Sequence, residues 1–132
     1  MKQLYILILA LWVATSFFAQ TPVASINTLP APVNGTITLC QGQSINFASS
    51  STGTTTGTSF NWNFGNGSPA TATNPGPHSV MFNTASAGQL ISLTVSNPNG
   101  LQSTATFNVI VQAVPASQMT LASSVVVLEH KY

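Results

Sequence analysis

Across 132 residues the chain carries two basic residues, Lys2 and Lys131, and one acidic residue, Glu129. Within residues 3–128 only His78 can gain a charge, which excludes the basic patches that hold phosphate backbones and the carboxylate pairs of acid–base catalysis. Disorder goes with low hydrophobicity and high net charge; 44% hydrophobic residues and a net charge of +1 point instead to one folded domain.

Lys2 is followed by an apolar run over residues 4–18 and by the small residue Ala19. This is the pattern of an export signal over residues 1–19, with cleavage expected after Ala19 and Gln20 as the new N-terminus. The run is shorter than the ~20 apolar residues a membrane-spanning helix needs. No Cys follows it to carry a lipid anchor. The expected location is secreted or at the cell surface.

Residues 20–35 are rich in proline and small residues and suit a linker followed by an edge strand. Pro22, Pro30 and Pro32 each lack the N–H that a central strand needs. From residue 36 the pattern changes to period two, which is the mark of strands with one buried face. Ile37 and Leu39 alternate, then Ile45 and Phe47, with Gln41-Gly42-Gln43 between them. Residues 49–59 contain only Ser, Thr and Gly and read as a solvated loop. Phe60, Trp62 and Phe64 alternate next and run into Gly65-Asn66-Gly67. Residues 68–78 read as loop and turn, and Val80 and Phe82 mark a short strand. Ile91, Leu93 and Val95 line one arm of a hairpin; Phe107, Val109 and Val111 line the other.

Asn-Gly pairs at 34–35, 66–67 and 99–100 punctuate this pattern. Both residues tolerate positive φ, which tight turns between strands require. Short alternating strands spaced by turns predict an all-β fold, an antiparallel sandwich over residues 36–114. There is no internal repeat. The composition shifts after Pro115, so residues 115–132 read as a tail or the start of a further module. Cys40 has no intrachain partner. It reads as a small buried hydrophobe, with an intermolecular disulfide, or a partner in a longer parent chain, as the alternative.

The stretch from Phe60 to Val111 resembles the PKD-domain family, an immunoglobulin-like sandwich of surface and secreted proteins. The family pattern places an aromatic and any residue before Trp-Asp-Phe-Gly-Asp-Gly. A Pro/His segment follows, then a strand ending in Asn with a Gly shortly after. Here Phe60 and Trp62-Asn63-Phe64-Gly65-Asn66-Gly67 stand for the first part, Pro77-His78 for the second. Leu93-Thr94-Val95-Ser96-Asn97 and Gly100 stand for the third. The resemblance implies about seven strands. It makes Phe60, Trp62, Asn63, Phe64, Gly65, Asn66, Gly67, Leu93, Val95 and Asn97 structural motif and core positions. Both aspartates of the pattern are asparagines here, Asn63 and Asn66. The family's Gly-x-Tyr before the late strand is missing: Gly88 is followed by Gln89-Leu90, so no tyrosine hydroxyl bonds back at that corner.

Some related modules bind calcium through loop carboxylates. Asn63 and Asn66 keep an oxygen but not the charge that supplies most of the attraction, so their amides are expected to bond the turn backbone instead. Zinc needs clustered Cys, His or acidic ligands; Cys40, His78 and His130 are far apart in sequence and unpatterned. Nucleophilic catalysis needs a base oriented by a third group. His78 has no Asp or Glu beside it, so no catalytic residue, metal site or cofactor is assigned. Trp62 could offer a sugar platform, but its alternation with Phe60 and Phe64 reads as core. Asn34-Gly35-Thr36 and Asn66-Gly67-Ser68 match the glycosylation sequon, and the turn reading accounts for both.

The resemblance implies a non-catalytic spacer or an adhesive module of a bacterial surface or secreted protein, contacting surface proteins or polysaccharides. An accessory module of a secreted hydrolase is the alternative. Nucleic acid is not an expected partner. Loops 49–59 and 67–78 are the expected contact surfaces. Self-association stays open, because uncharged sheet edges lack the usual protection. With both motif carboxylates replaced, millimolar calcium should leave the melting temperature unchanged. A clear rise in a thermal melt would reinstate a cation site.

Overall fold

The computed structural model describes residues 19–115. Residues 1–18 of the expected signal (1–19) and residues 116–132 of the expected tail (115–132) lie outside the described residues. The fold is all-β, a two-sheet immunoglobulin-like sandwich. Nine strands follow in chain order: β1 (Ile26–Leu29), β2 (Thr36–Cys40), β3 (Gln43–Ser49), β4 (Ser59–Asn63), β5 (Gly67–Ser68), β6 (Thr71–Ala72), β7 (His78–Phe82), β8 (Ser86–Ser96) and β9 (Gln102–Gln112). One sheet has the order β1-β3-β7-β5 and the other β2-β9-β8-β4-β6.

Two features of the strand topology differ from the sequence reading. Residues 67–72, read as loop, contain the two-residue strands β5 and β6. Two residues are too few to show a period-two pattern, which is why seven strands were legible and nine are present. The second difference is one parallel pairing. β2 runs beside β9 with Thr36 opposite Asn108 and Cys40 opposite Gln112. The cause lies in the path of the leading segment. β1 pairs antiparallel with β3 in the first sheet; the chain then turns through Val33–Thr36 and joins the other sheet as β2. Pro30 and Pro32, which cannot continue a ladder, stand where the switch occurs.

The three Asn-Gly pairs also behave differently. Asn34 and Gly35 both have positive φ, 51° and 75°, the form of a two-residue hairpin turn. Around the second pair the positive φ falls on Gly65 (57°), and at the third on Gly100 alone (85°). Gly67 is instead a close-approach position: a Cβ there would collide with Val80 Cγ1.

The core is an aromatic seam between the sheets. Phe47 of β3 lies 6.3 Å from Trp62, 5.4 Å from Phe64, 6.4 Å from Phe82 and 6.2 Å from Phe107, between ring centroids. Trp62 stacks on Phe64 at 5.3 Å with planes 18° apart. Ile45, Val80, Ile91, Leu93, Val95 and Val109 are buried around them, while Phe60 is half-buried at the cluster's rim. Each fully buried side chain of this size contributes about 1.5–3 kcal/mol.

Cys40 corrects a sequence reading. It is exposed, not buried. Ile37 and Leu39 point inward, so period two sends Cys40 out. Because Trp62 is fully buried, Trp62→Ala should cost about 3–5 kcal/mol by the usual large-to-small penalty. Phe60→Ala should cost clearly less. Urea denaturation checks both; a stable Trp62→Ala variant would remove Trp62 from the core.

Candidate functional site

The motif loop after β4 is held by the backbone and by neutral amides. Asn63 Oδ1 accepts from Gly65 N–H at 2.8 Å, the Asx turn that short amides favour. Phe64 N–H donates to the Ala70 carbonyl at 2.7 Å, and Gly67 N–H to the Phe64 carbonyl at 3.0 Å. Asn66 is exposed and its amide bonds nothing among the described residues. The expectation that both asparagines bond the turn holds for Asn63 and fails for Asn66. The cause is direction: Asn63 ends a strand and can reach back over the turn, whereas Asn66 stands outward at its tip.

A residue that sequence reasoning did not assign supports this loop from below. Gln89 is buried, and its Nε2 donates to the Phe64 carbonyl at 2.6 Å. The bond ties β8 to the motif loop at the corner that lacks the family tyrosine. Gln89 shares its parity with Ile91, Leu93 and Val95, so the inward frame could have revealed it. The β-bulge between Ser86 and Gln89 obscured the register there.

His78 caps the aromatic seam. Its ring lies 5.7 Å from both Trp62 and Phe64. The Asn74 carbonyl accepts from Trp62 Nε1 at 2.9 Å and faces His78 Nε2 at 3.0 Å. A carbonyl only accepts, so a hydrogen bond at this contact has Nε2–H of His78 as its donor. Among the described residues no carboxylate can orient this imidazole. Its geometry holds the 74–78 turn and does not build a nucleophile–base pair.

Asn97 forms the second polar centre. It is 4% exposed and stands at the end of β8. Its Oδ1 accepts from Thr58 Oγ1 at 2.6 Å. Its Nδ2 donates to the Gln20 carbonyl at 2.8 Å and to the Gly53 carbonyl at 2.9 Å. The leading segment, the 49–59 loop and the β8–β9 turn thus meet on one side chain. Val23 and Thr52 exchange backbone bonds beside it, at 2.9 and 3.0 Å. Gly53 is required there, because a Cβ would come within 2.5 Å of the Thr21 carbonyl. Leu93 and Val95, the remaining motif positions, are buried in β8.

The open side of the sandwich, beside β2, carries two adjoining grooves. One of about 520 Å³ is lined by Pro30, Ala31, Val33, Thr36, Ile37, Thr38 and Ile110. The other, about 350 Å³, adds Leu39, Gln43, Ser44 and Ile45. No lining side chain can exchange a proton near neutral pH, so neither groove can perform acid–base chemistry. No three His, Cys, Asp or Glu side chains converge among the described residues.

The architecture is thus that of an immunoglobulin-like module in which Trp62, Phe64, Leu93 and Val95 pack the core and Asn63 bonds the turn, while Asn66 is exposed. The family model for the PKD domain matches residues 29–111, and the chain belongs to that family. The family is one of generally non-catalytic modules typical of extracellular proteins. Solved structures similar to this chain include the PKD1 domain of Vibrio anguillarum Epp. It is 23% identical, with 72% of this chain and 98% of that chain covered and a TM-score of 0.49. No curated protein matches. No helix among the described residues is long and apolar enough to cross a membrane.

Replacing Asn97 tests the polar centre. Asn97→Ala removes three hydrogen bonds and leaves the Gly53 carbonyl without its side-chain donor, and should cost about 1–3 kcal/mol. Asn97→Asp should cost more at neutral pH, since a carboxylate there faces the Gln20 and Gly53 carbonyls. That environment raises the folded-state pKa of the introduced acid above its unfolded value. The folded chain then binds the proton more tightly, so the Asp variant should regain stability as pH falls and lose it as pH rises. Urea melts at several pH values check this; a pH-independent gap between the variants would rule it out.

Proposed function

We propose that this chain is an exported, non-catalytic PKD module of a bacterial surface or secreted protein, acting as a spacer. The observation that carries the reading is where the chain enters and leaves the sandwich. It enters at Gln20, held by Asn97 and Asn99 at the β8–β9 turn. It leaves at Val114, whose N–H donates to Gln41 Oε1 at 3.3 Å beside the β2–β3 turn. These contacts sit at opposite ends of the 11-residue β9, separated by roughly 35 Å at the usual rise of a strand. A module threaded from pole to pole sets a fixed distance between whatever flanks it.

The adhesive reading has less support. A sugar platform needs an exposed aromatic face, and Trp62 and Phe64 are fully buried. The 49–59 loop offers exposed Thr54, Thr55 and Thr56, which can hydrogen-bond but present no aromatic or charged anchor.

Spin labels at residues 21 and 114, introduced by T21C and V114C in a C40S background, test the spacer. Pulsed dipolar spectroscopy should give one narrow distance distribution near about 35 Å. Adding polysaccharides or surface proteins should leave it unchanged. A broad distribution, or a short mean distance, would defeat the reading.

A further inference from the structure

We infer that Asn34 is the site of spontaneous deamidation in the folded chain, and that folding shields the other two Asn-Gly pairs. The three pairs are chemically alike in sequence. In each, the glycine nitrogen can attack the asparagine side chain, because glycine has no side chain to hinder the approach. Hydroxide first removes the proton from the glycine N–H. The nitrogen then bonds to asparagine Cγ, the Cγ–Nδ2 bond breaks, and ammonia leaves with a proton returned by water. Water opens the resulting five-membered imide at either carbonyl, giving aspartate or isoaspartate.

The structure separates the pairs by what each step must break. At Asn66-Gly67 the nucleophile is occupied: Gly67 N–H donates to the Phe64 carbonyl at 3.0 Å. Gly67 is also buried, with Val80 and Phe82 packed against its α-carbon. Rotating that peptide toward Asn66 Cγ disrupts the core. At Asn99-Gly100 both partners are held. Gly100 N–H donates to the Asn97 carbonyl at 3.0 Å. Asn99 Oδ1 accepts from Leu101 N–H at 3.0 Å, and its Nδ2 donates to the Gln20 carbonyl at 3.2 Å.

Asn34-Gly35 has none of these restraints. Residues 31–35 are exposed, and space around Gly35 is open, with nothing within 4 Å of a Cβ placed there. Neither the Asn34 amide nor Gly35 N–H is hydrogen-bonded among the described residues. One bridge, Val33 with Thr36 at 3.1 Å in each direction, closes the turn. Local opening of so small a unit takes little free energy compared with opening the core. Water and hydroxide reach the turn directly.

The product has a clear signature. The chain holds one acidic side chain, Glu129, so a single event doubles its acidic side chains and resolves as a discrete acidic band. The folded chain and a urea-unfolded sample are incubated in the same mildly alkaline buffer. Isoelectric focusing and peptide mapping by mass spectrometry then locate the exchanged amide. In the folded chain Asn34 should convert about tenfold or more faster than Asn66 and Asn99, reflecting the difference in opening free energy. In urea all three should convert at comparable rates. The Asn34→Gln variant should not form the early acidic band. Conversion at Asn66 or Asn99 that matches or precedes Asn34 in the folded chain would overturn the assignment.

Discussion

Phe47 reaches across the sandwich to Trp62, Phe64 and Phe107 and along its own sheet to Phe82, and the remaining geometry depends on that seam. Rings packed in tilted and stacked arrangements add about 0.5–1.5 kcal/mol per pair beyond their buried area. They also fix directions. The stack of Trp62 on Phe64 aims the indole N–H at the Asn74 carbonyl, which places the 74–78 turn and His78 over the rings. The same stack holds the Phe64 carbonyl where Gly67 and Gln89 both donate to it. The motif loop is therefore shaped from inside. Its outer residue, Asn66, is left without a structural task.

A domain with no carboxylate, lysine or arginine among its described residues has to satisfy its buried polar groups with amides and hydroxyls. Burying a neutral amide costs far less than burying a charge, provided it is hydrogen-bonded. Asn97 and Gln89 use that margin. Each donates to main-chain carbonyls of distant segments, although Gln89 Oε1 itself is buried without a partner. Such bonds carry no net charge for salt to screen. The arrangement makes these contacts insensitive to ionic strength. It also explains how the motif tolerates asparagine in place of aspartate at residue 63: the Asx turn needs an acceptor oxygen, which an amide supplies as well as a carboxylate.

The two-sheet fold was legible because the inward residues obey period two over strands of five residues or more. Ile37, Ile45, Trp62, Val80, Ile91 and Val109 were each readable from their neighbours, and all are buried. Cys40 followed the same rule, but residue type outweighed parity in reading it as buried. What escaped notice depends on tertiary contacts. The two-residue strands β5 and β6 exist because β7 and β4 lie alongside them. The parallel placement of β2 follows from a sheet switch that no local pattern encodes. Asn97 was marked by its family position, yet its partners Gln20, Gly53 and Thr58 lie 77, 44 and 39 residues away. Side-chain bonds over such separations leave no trace in a one-dimensional pattern.

The sheet edges show how a neutral domain limits strand addition without the lysines that usually guard an edge. β5 and β6 are two residues long, and Pro69 and Pro75 flank them. β1 runs into Pro30. β2 is the longest edge, at five residues, and its two ends are closed by other means. Gln41 N–H donates to Gln112, so odd residues of β2 face β9 and even residues face outward. Of the even residues, Thr36 exchanges both its bonds with Val33. Cys40 N–H is taken by Gln43 Oε1 at 2.9 Å. That leaves Thr38, with the Cys40 carbonyl, as the open backbone of the edge among the described residues. An incoming strand would find one residue's pair of backbone groups and part of another there. The hairpin at Asn34-Gly35 that protects the start of β2 is thus the same exposed turn that leaves Asn34 open to water.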